Sequence, residues 1–443
     1  MPPGTWVDPR EGTVPMTAKA RLRRGLTAAA SLLGVTTLSV AHRYALDRPS
    51  LSGPILVLDH LFNLLLACAL LGLCAAIGRQ FVSTAQRFWT RVRFEYDSNI
   101  EDLAYSIGIG AGILSTMVLL AGVAGWLRPV PLSVLLVVCC ALTWRHVLAL
   151  PALMSMAVSE LASKAGKTTL TLFIAVAAIM IVLALAPPTD WDSLMYHLHI
   201  PAQFLERGTV HVPADNLHFS FIGLFHFLYV PLLAAGAPAA CALLNVLFGL
   251  ILSTLMLTAG SRLFSLTTGR LALIVLWGSP VLILGGVTSR VDVVLACYLF
   301  LGHYALLRAW REDNTMAWAL VAGAILGFAF SIKYLAAAYI AAITPLLLVV
   351  AFDRVSSARE RSLIVGACSG IAFIASLPWL LKNWVWLGAH SIRSSPETSC
   401  RHGWPHCTDP AIYRRRSIRP RCTRWVLFAR RSPYAIGSLH LAG

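Results

Sequence analysis

Residues 316–352 read MAWALVAGAILGFAFSIKYLAAAYIAAITPLLLVVAF, 37 residues whose only charge is Lys333. As one straight helix this run would extend about 55 Å, against a hydrocarbon core of about 30 Å. It therefore reads as two membrane spans, 316–332 and 334–352, joined by a tight hairpin at Ser331–Tyr334. Comparable apolar runs lie at 25–41, 54–78, 103–126, 131–150, 169–187, 239–260, 271–287, 291–307 and 363–381. The first is short, follows Lys19, Arg21, Arg23 and Arg24 and ends in Ser39-Val40-Ala41, so it also reads as a cleavable signal peptide. Composition agrees. The chain is 57% hydrophobic and 13% charged with a mean hydropathy of +0.71, about half the charge of a soluble domain and far too apolar for disorder. The expected fold is an all-α integral membrane protein of about 10–11 transmembrane helices, with one large extracytoplasmic loop carrying interfacial helices.

The net charge of +16 does not mark a nucleic-acid binder. Residues 389–443 hold ten arginines against Glu397 and Asp409, and the remaining excess is scattered in short clusters between apolar runs. Such clusters mark cytoplasmic loops. Seven cysteines (Cys68, Cys74, Cys139, Cys140, Cys241, Cys297 and Cys368) sit inside apolar runs as small hydrophobes, and no disulfide framework is visible. A basic N-terminus, Arg79, Arg87, Arg91 and Arg93 in 79–102, and Lys164 and Lys167 in 151–168 place the N-terminus in the cytoplasm. The loop after Pro187-Pro188 is then outside. Were 217–235 (HFSFIGLFHFLYVPLLAAG) a span, Arg262, Arg270, Arg308, Arg311, Arg354, Arg359 and Arg361 would face outward. Laid in the interface it turns those seven inward and leaves only Arg290, Lys333 and Lys382 outside, which the positive-inside rule favours.

The outer loop 188–238 opens with Pro187-Pro188-Thr189-Asp190-Trp191-Asp192-Ser193-Leu194-Met195-Tyr196-His197-Leu198-His199-Ile200-Pro201. Two of only twenty acids lie here at a membrane boundary. A helix from Asp192 to Pro201 would put Asp192, Tyr196 and His199 on one face, a fair general-base arrangement, with Asp190 pointing elsewhere. Alternatively Asp190 or Asp192 merely caps that helix. The spacing matches no specific metal-ligand pattern, so no metal is expected. Lys333, alone between apolar runs, is either a snorkelling anchor or the cation for the phosphate of a lipid-linked substrate. Arg290 and Asp292 invite the same two readings, with a local ion pair or anchor preferred. Asp59, His60, Arg145 and His146 read as boundary residues at span ends.

The motif Asp-Ser-Leu-Met-Tyr-His-Leu at 192–198, with Pro201 and Phe204-Leu205-Glu206-Arg207-Gly208, resembles the first extracytoplasmic loop of the GT-C glycosyltransferases. The nearest branch is that of protein O-mannosyltransferases, lipid A aminoarabinose transferases and bacterial lipopolysaccharide-sugar transferases. Ser289-Arg290-Val291-Asp292, Gly327-Phe328-Ala329-Phe330-Ser331-Ile332-Lys333-Tyr334 and Pro378-Trp379-Leu380-Leu381-Lys382-Asn383 extend the resemblance over about 169–388. It implies a multi-pass enzyme of the bacterial cytoplasmic membrane that moves a sugar from a polyprenyl-phosphate carrier to a hydroxyl of a glycan, lipid or protein acceptor outside. By that resemblance Asp192 activates the acceptor, with Asp190, Tyr196 and His197 of the same motif completing the catalytic set. Lys333 and Arg290 hold the carrier phosphate, and no cofactor is needed. The rival from another class is a transporter or flippase of lipid-linked sugars, which should show repeated halves with broken helices; no such repeat is evident.

Three regions follow: a membrane region of about four spans at 1–168, which the family pattern does not account for, a GT-C-like core at 169–388, and an Arg-rich tail at 389–443. After Gly388 apolar periodicity ends. Back-translation of 387–394 read in a shifted frame permits Gly-X-Pro-Phe-Tyr-Pro-Phe, close to the Gly-Asn-Pro-X-Tyr-Pro-Phe with which relatives continue. The tail is therefore expected to be out of frame or disordered, and a truncated, inactive product of an enzyme gene stands as a third reading beside the transferase and the transporter. Cys400, His402, His406 and Cys407 are not expected to form a zinc site.

Overall fold

A computed structural model describes residues 34–42, 53–88, 96–211 and 217–393. Residues 394–443 of the Arg-rich tail and most of the run 25–41 lie outside the described residues. Two compact units divide the chain, 1–62 and 63–443. In the first, residues 34–42 are helical, and His42 engages the Asp59 carboxylate and stacks on Phe62 at 4.2 Å between ring centroids. Asp59 thus has a partner of its own besides its place near a span end.

The elements are helical throughout the described residues: α1 (Pro54–Phe88), α2 (Asn99–Val123), α3 (Pro129–Leu142), α4 (Trp144–Ala184), α5 (His199–Arg207), α6 (His226–Ala234), α7 (Ala239–Leu263), α8 (Leu266–Trp277), α9 (Pro280–Gly286), α10 (Asp292–Arg311), α11 (Thr315–Ile332), α12 (Ala336–Arg354) and α13 (Ala358–Arg393). Among them eight helices are long and apolar enough to cross a membrane, or nine if α8 and α9, bent by 66°, make one broken span. The all-α membrane architecture stands, with fewer complete spans described than the expected 10–11. The run 131–150 accounts for part of the difference. It breaks at Thr143, leaving the 14-residue α3 and the beginning of α4. The expected 151–168 loop is helical too, up to Gly166, whose φ of 70° interrupts α4. Arg270 Nε donates to the Lys164 carbonyl there at 2.9 Å, satisfying a group that the bend releases from the helix.

The helix ends follow local chemistry. Ser98 caps α2 by accepting from the Glu101 amide at 3.4 Å, and Ser265 caps α8 through the Thr268 amide at 3.1 Å. Within the bundle, α11 lies against α13 at Gly323 and Gly327, where a side chain would run into the Cys368 and Ala372 backbone. That small-xxx-small stripe permits the close helix contact that drives association where no hydrophobic effect operates.

Helix α10 carries charge at both ends. At its C-terminal end Arg308, 1% exposed, engages Glu101, Asp97 at 2.9 Å and Glu312, and lies 4.2 Å from the Trp318 ring. Tyr304 Oη donates to Glu101 at 2.6 Å, and Arg262 adds a contact to Glu312 at 2.8 Å. This cluster ties α2, α7, α10 and α11 together. The other end of α10, near Asp292, holds the candidate site.

Candidate functional site

The segment after α4 does not form the expected straight helix. Ser193–His197 is a π-helical turn, closed by a Leu198 N–H donating to the Ser193 carbonyl at 2.9 Å, before α5 begins at His199. The wider turn shifts the phase of every later side chain, so Asp192, Tyr196 and His199 do not act as one face. His199 is exposed and meets Gln203 at 2.8 Å, whereas His197 turns inward. The turn is pinned from outside the segment, because the Ser289 amide donates to Ser193 Oγ at 3.1 Å.

Asp190 is the cap. Its Oδ1 accepts from the Ser193 amide at 3.0 Å and from Arg290 Nε at 3.2 Å. Asp192 makes a single longer contact, Oδ2 to Arg290 Nε at 3.5 Å, and keeps a third of its side chain exposed. Arg290 is therefore paired with the loop acids and not with Asp292, which corrects the local ion pair expected from sequence. Burial works against the Arg290 charge, but the hydrogen bond and charge of Asp190, with Asp192 and Asp292 nearby, raise its pKa above the ordinary arginine range. Asp292 is engaged by Lys333, Nζ to Oδ1 at 2.7 Å, in a half-exposed pair.

The link 287–291 that carries Arg290 is held by α6 and α7. The Asn245 amide donates to the Thr288 carbonyl at 2.6 Å and to that of Arg290, and Tyr229 Oη donates to the Ser289 carbonyl at 3.1 Å. The bend between α8 and α9 delivers this stretch to the loop acids.

Segment 217–235 forms a 3-10 turn at Leu217–Ser220 and the nine-residue α6, neither able to cross a membrane. Residues 222–232 are also buried against neighbouring protein. The Leu224 amide donates to the Ser331 carbonyl at 2.9 Å, and Phe227 meets the Trp379 ring at 5.2 Å. Backbone and aromatic partners from the bundle thus meet its groups.

Two site residues escaped sequence reasoning. His226, on α6, meets His197 at 2.7 Å (Nε2 to Nδ1), and both rings are buried. Burial, then the charges of Lys333 and Arg290, lowers the His197 pKa to about 3. His226 is lowered well below its ordinary value, again by burial first and then by His197, Lys382 and Lys333. Lys382, 4% exposed, donates to the Phe221 carbonyl at 2.8 Å. The signals were one more His in an aromatic stretch and a Lys just past the 363–381 run, within the Pro378–Asn383 motif; neither names its partner. Tyr196 stacks on His218 with ring centroids 5.0 Å apart; burial, then Asp192 and Asp292, pushes its phenol up to about 12.

The structure thus brings Asp190, Asp192, Tyr196, His197, Arg290 and Lys333 to one end of the bundle, with Arg290 and Lys333 each answering an acid. Residues 230–381 match the family model of the dolichyl-phosphate-mannose-protein mannosyltransferases. This is a glycosyltransferase family, and the matched domain takes in 152 of the 443 residues. It begins in α6 and ends in α13, so it contains Arg290, Asp292 and Lys333 and follows Asp190 and Asp192. Neither the curated proteins nor the solved structures gave a match to the chain. Among the described residues no group of three His, Cys, Asp or Glu is placed to hold a metal ion.

Proposed function

We propose that the protein is a membrane glycosyltransferase moving a sugar from a polyprenyl-phosphate carrier to an acceptor hydroxyl, with the site on the outer face of a bacterial cytoplasmic membrane and the N-terminus inside. The observation that carries this is the division of labour between the loop acids. Asp190 is committed to the Ser193 amide and to Arg290, which leaves Asp192 with one long contact and an exposed edge. In the reaction Asp192 takes the acceptor O–H proton as that oxygen bonds to the anomeric carbon. The bond from that carbon to the phosphate oxygen breaks, and its electron pair leaves on the phosphate. Lys333 and Arg290 stabilise that developing anion, with Lys333 exchanging Asp292 for phosphate. The reaction is a single inverting displacement and calls on no cofactor.

The test uses membranes containing the full chain and labelled polyprenyl-phosphate mannose, glucose or aminoarabinose. Transfer from one of these, lost in Asp192→Asn, supports the reading; transfer surviving that substitution ends it. One feature favours a second reading, transport of a lipid-linked sugar: the broken α8–α9 span ends beside the site, as discontinuous helices do in transporters. Carrier-linked sugar crossing vesicles without transfer would select it.

A further inference from the structure

At the opposite end of the bundle lies a cavity of about 350 Å³, lined by Gln80, Ser83 and Arg87 of α1, Leu142 of α3, and Trp144, Arg145 and His146 of α4. Its level is set by a chain of contacts: Arg79 pairs with Asp102 at 3.2 Å, one residue from the Glu101 that engages Arg308. The last turns of α1 continue from there, so the cavity stands at headgroup depth and well away from Asp192.

Its lining holds two guanidinium groups and no carboxylate. Seven other cations of the described residues, Arg79, Arg262, Arg290, Arg308, Arg354, Lys164 and Lys333, have an acid in reach, while others such as Arg270 and Lys382 are held by backbone carbonyls. Arg87 and Arg145 have none there; Arg145 rests 5.6 Å from the Trp144 ring centroid, a contact that leaves its N–H groups available. Gln80 and Ser83 add further polar groups on the same wall. The rim, in contrast, is apolar: Leu142 is 69% and Trp144 53% exposed, and Phe81, Phe88 and Leu148 beside them are exposed as well. Cations set beside exposed apolar side chains are the two halves of a phospholipid site, since a free anion has no use for the rim. Tryptophan at such a boundary suits an amphipathic neighbour.

We infer that this cavity binds the phosphate headgroup of an anionic phospholipid, held by Arg87 and Arg145 with its acyl chains against Leu142 and Trp144. The site is separate from the transferase reading and serves the 1–168 region that the matched family domain leaves unassigned.

The full chain, purified in mild detergent, is titrated with phosphatidylglycerol or phosphatidylcholine and the bound lipid counted by native mass spectrometry. The expected result is tighter retention of phosphatidylglycerol, weakened about tenfold in the R87Q/R145Q double variant and unchanged in R359Q, an exposed cation elsewhere. Unfolding temperature is followed in parallel, and both lining arginines are exposed, so folding is preserved. Equal retention by the double variant, or equal retention of both lipids, overturns the proposal. Displacement of phosphatidylglycerol by millimolar inorganic phosphate also overturns it, since the cavity would then be a free-phosphate site.

Discussion

His197 Nδ1 and His226 Nε2 lie 2.7 Å apart with both rings buried, so one ring must donate and the other accept. The accepting ring must be neutral, and burial disfavours a charge on either ring. An unfolded histidine takes up a proton near 6.5, whereas His197 does so only at about 3 and His226 far below its ordinary value. Acid therefore favours the unfolded chain: stability is complete above about 6.5, falls as pH drops below it, and the His197 contribution stops changing below about 3. Thermal unfolding in detergent at pH 7.5 and pH 5 should show a lower melting temperature at pH 5. The H197Q/H226Q double variant should flatten that slope; an unchanged slope would remove the pair as its source.

The two loop acids should separate by experiment. Asp190→Asn weakens a helix cap and the Arg290 contact, and is expected to cost about 1 kcal/mol of stability. Asp192→Asn should leave stability within about 0.5 kcal/mol and remove sugar transfer. A loss of stability in Asp192→Asn as large as in Asp190→Asn would mean that both are structural.

Lys333 and Asp292 form a half-exposed pair that the carrier phosphate is proposed to open. Lys333→Ala should raise the KM for the polyprenyl-phosphate sugar about tenfold or more, while Lys333→Arg keeps much of the affinity. Asp292→Asn removes the competing acid and should lower that KM. Steady-state kinetics at fixed ionic strength decides, and a KM that ignores all three substitutions would take Lys333 out of donor binding.

The Arg308 cluster should be the costliest polar site to break. Glu101 is wholly buried, and Arg308→Gln removes its closest cation, leaving the Tyr304 hydroxyl and the more distant Arg262; the loss is expected to be about 3 kcal/mol. Adding Glu101→Gln should recover a good part of that loss, giving a double-mutant cycle with a large coupling energy. Additive losses would show that Asp97 and Glu312, not Glu101, hold the guanidinium.

Hydropathy located the spans well wherever one apolar run makes one helix. The runs 54–78, 239–260, 316–332 and 334–352 each fall on a long apolar helix, and the hairpin at Ser331–Tyr334 falls between α11 and α12. It failed where direction changes inside a run, at Thr143 and between α8 and α9, because a transfer energy carries no information about bend, and it missed the helix through the expected loop 151–168. At the site, the resemblance selected residues that do gather: Asp190, Asp192 and Arg290 meet although a hundred positions separate the loop from Arg290. The facial argument failed because it assumed 3.6 residues per turn through Ser193–His197, where a distant amide, that of Ser289, holds a wider turn. His226 and Lys382 were illegible for a related reason. Their roles depend on which backbone they meet, and local pattern does not record that.

Helix α10 has a further consequence. Its twenty residues span about 30 Å, much the same as the hydrocarbon thickness of a bilayer, and charged clusters clamp both ends. A helix clamped in this way works as a ruler. Neither end can slide into lipid without stranding its ions, so mismatch with a thinner or thicker bilayer must be absorbed by tilt or by the membrane itself. The loop acids ride on the Asp292 end through Arg290. Their position relative to the bilayer, and with it the depth at which the proposed carrier phosphate would be met, is thereby tied to acyl-chain length.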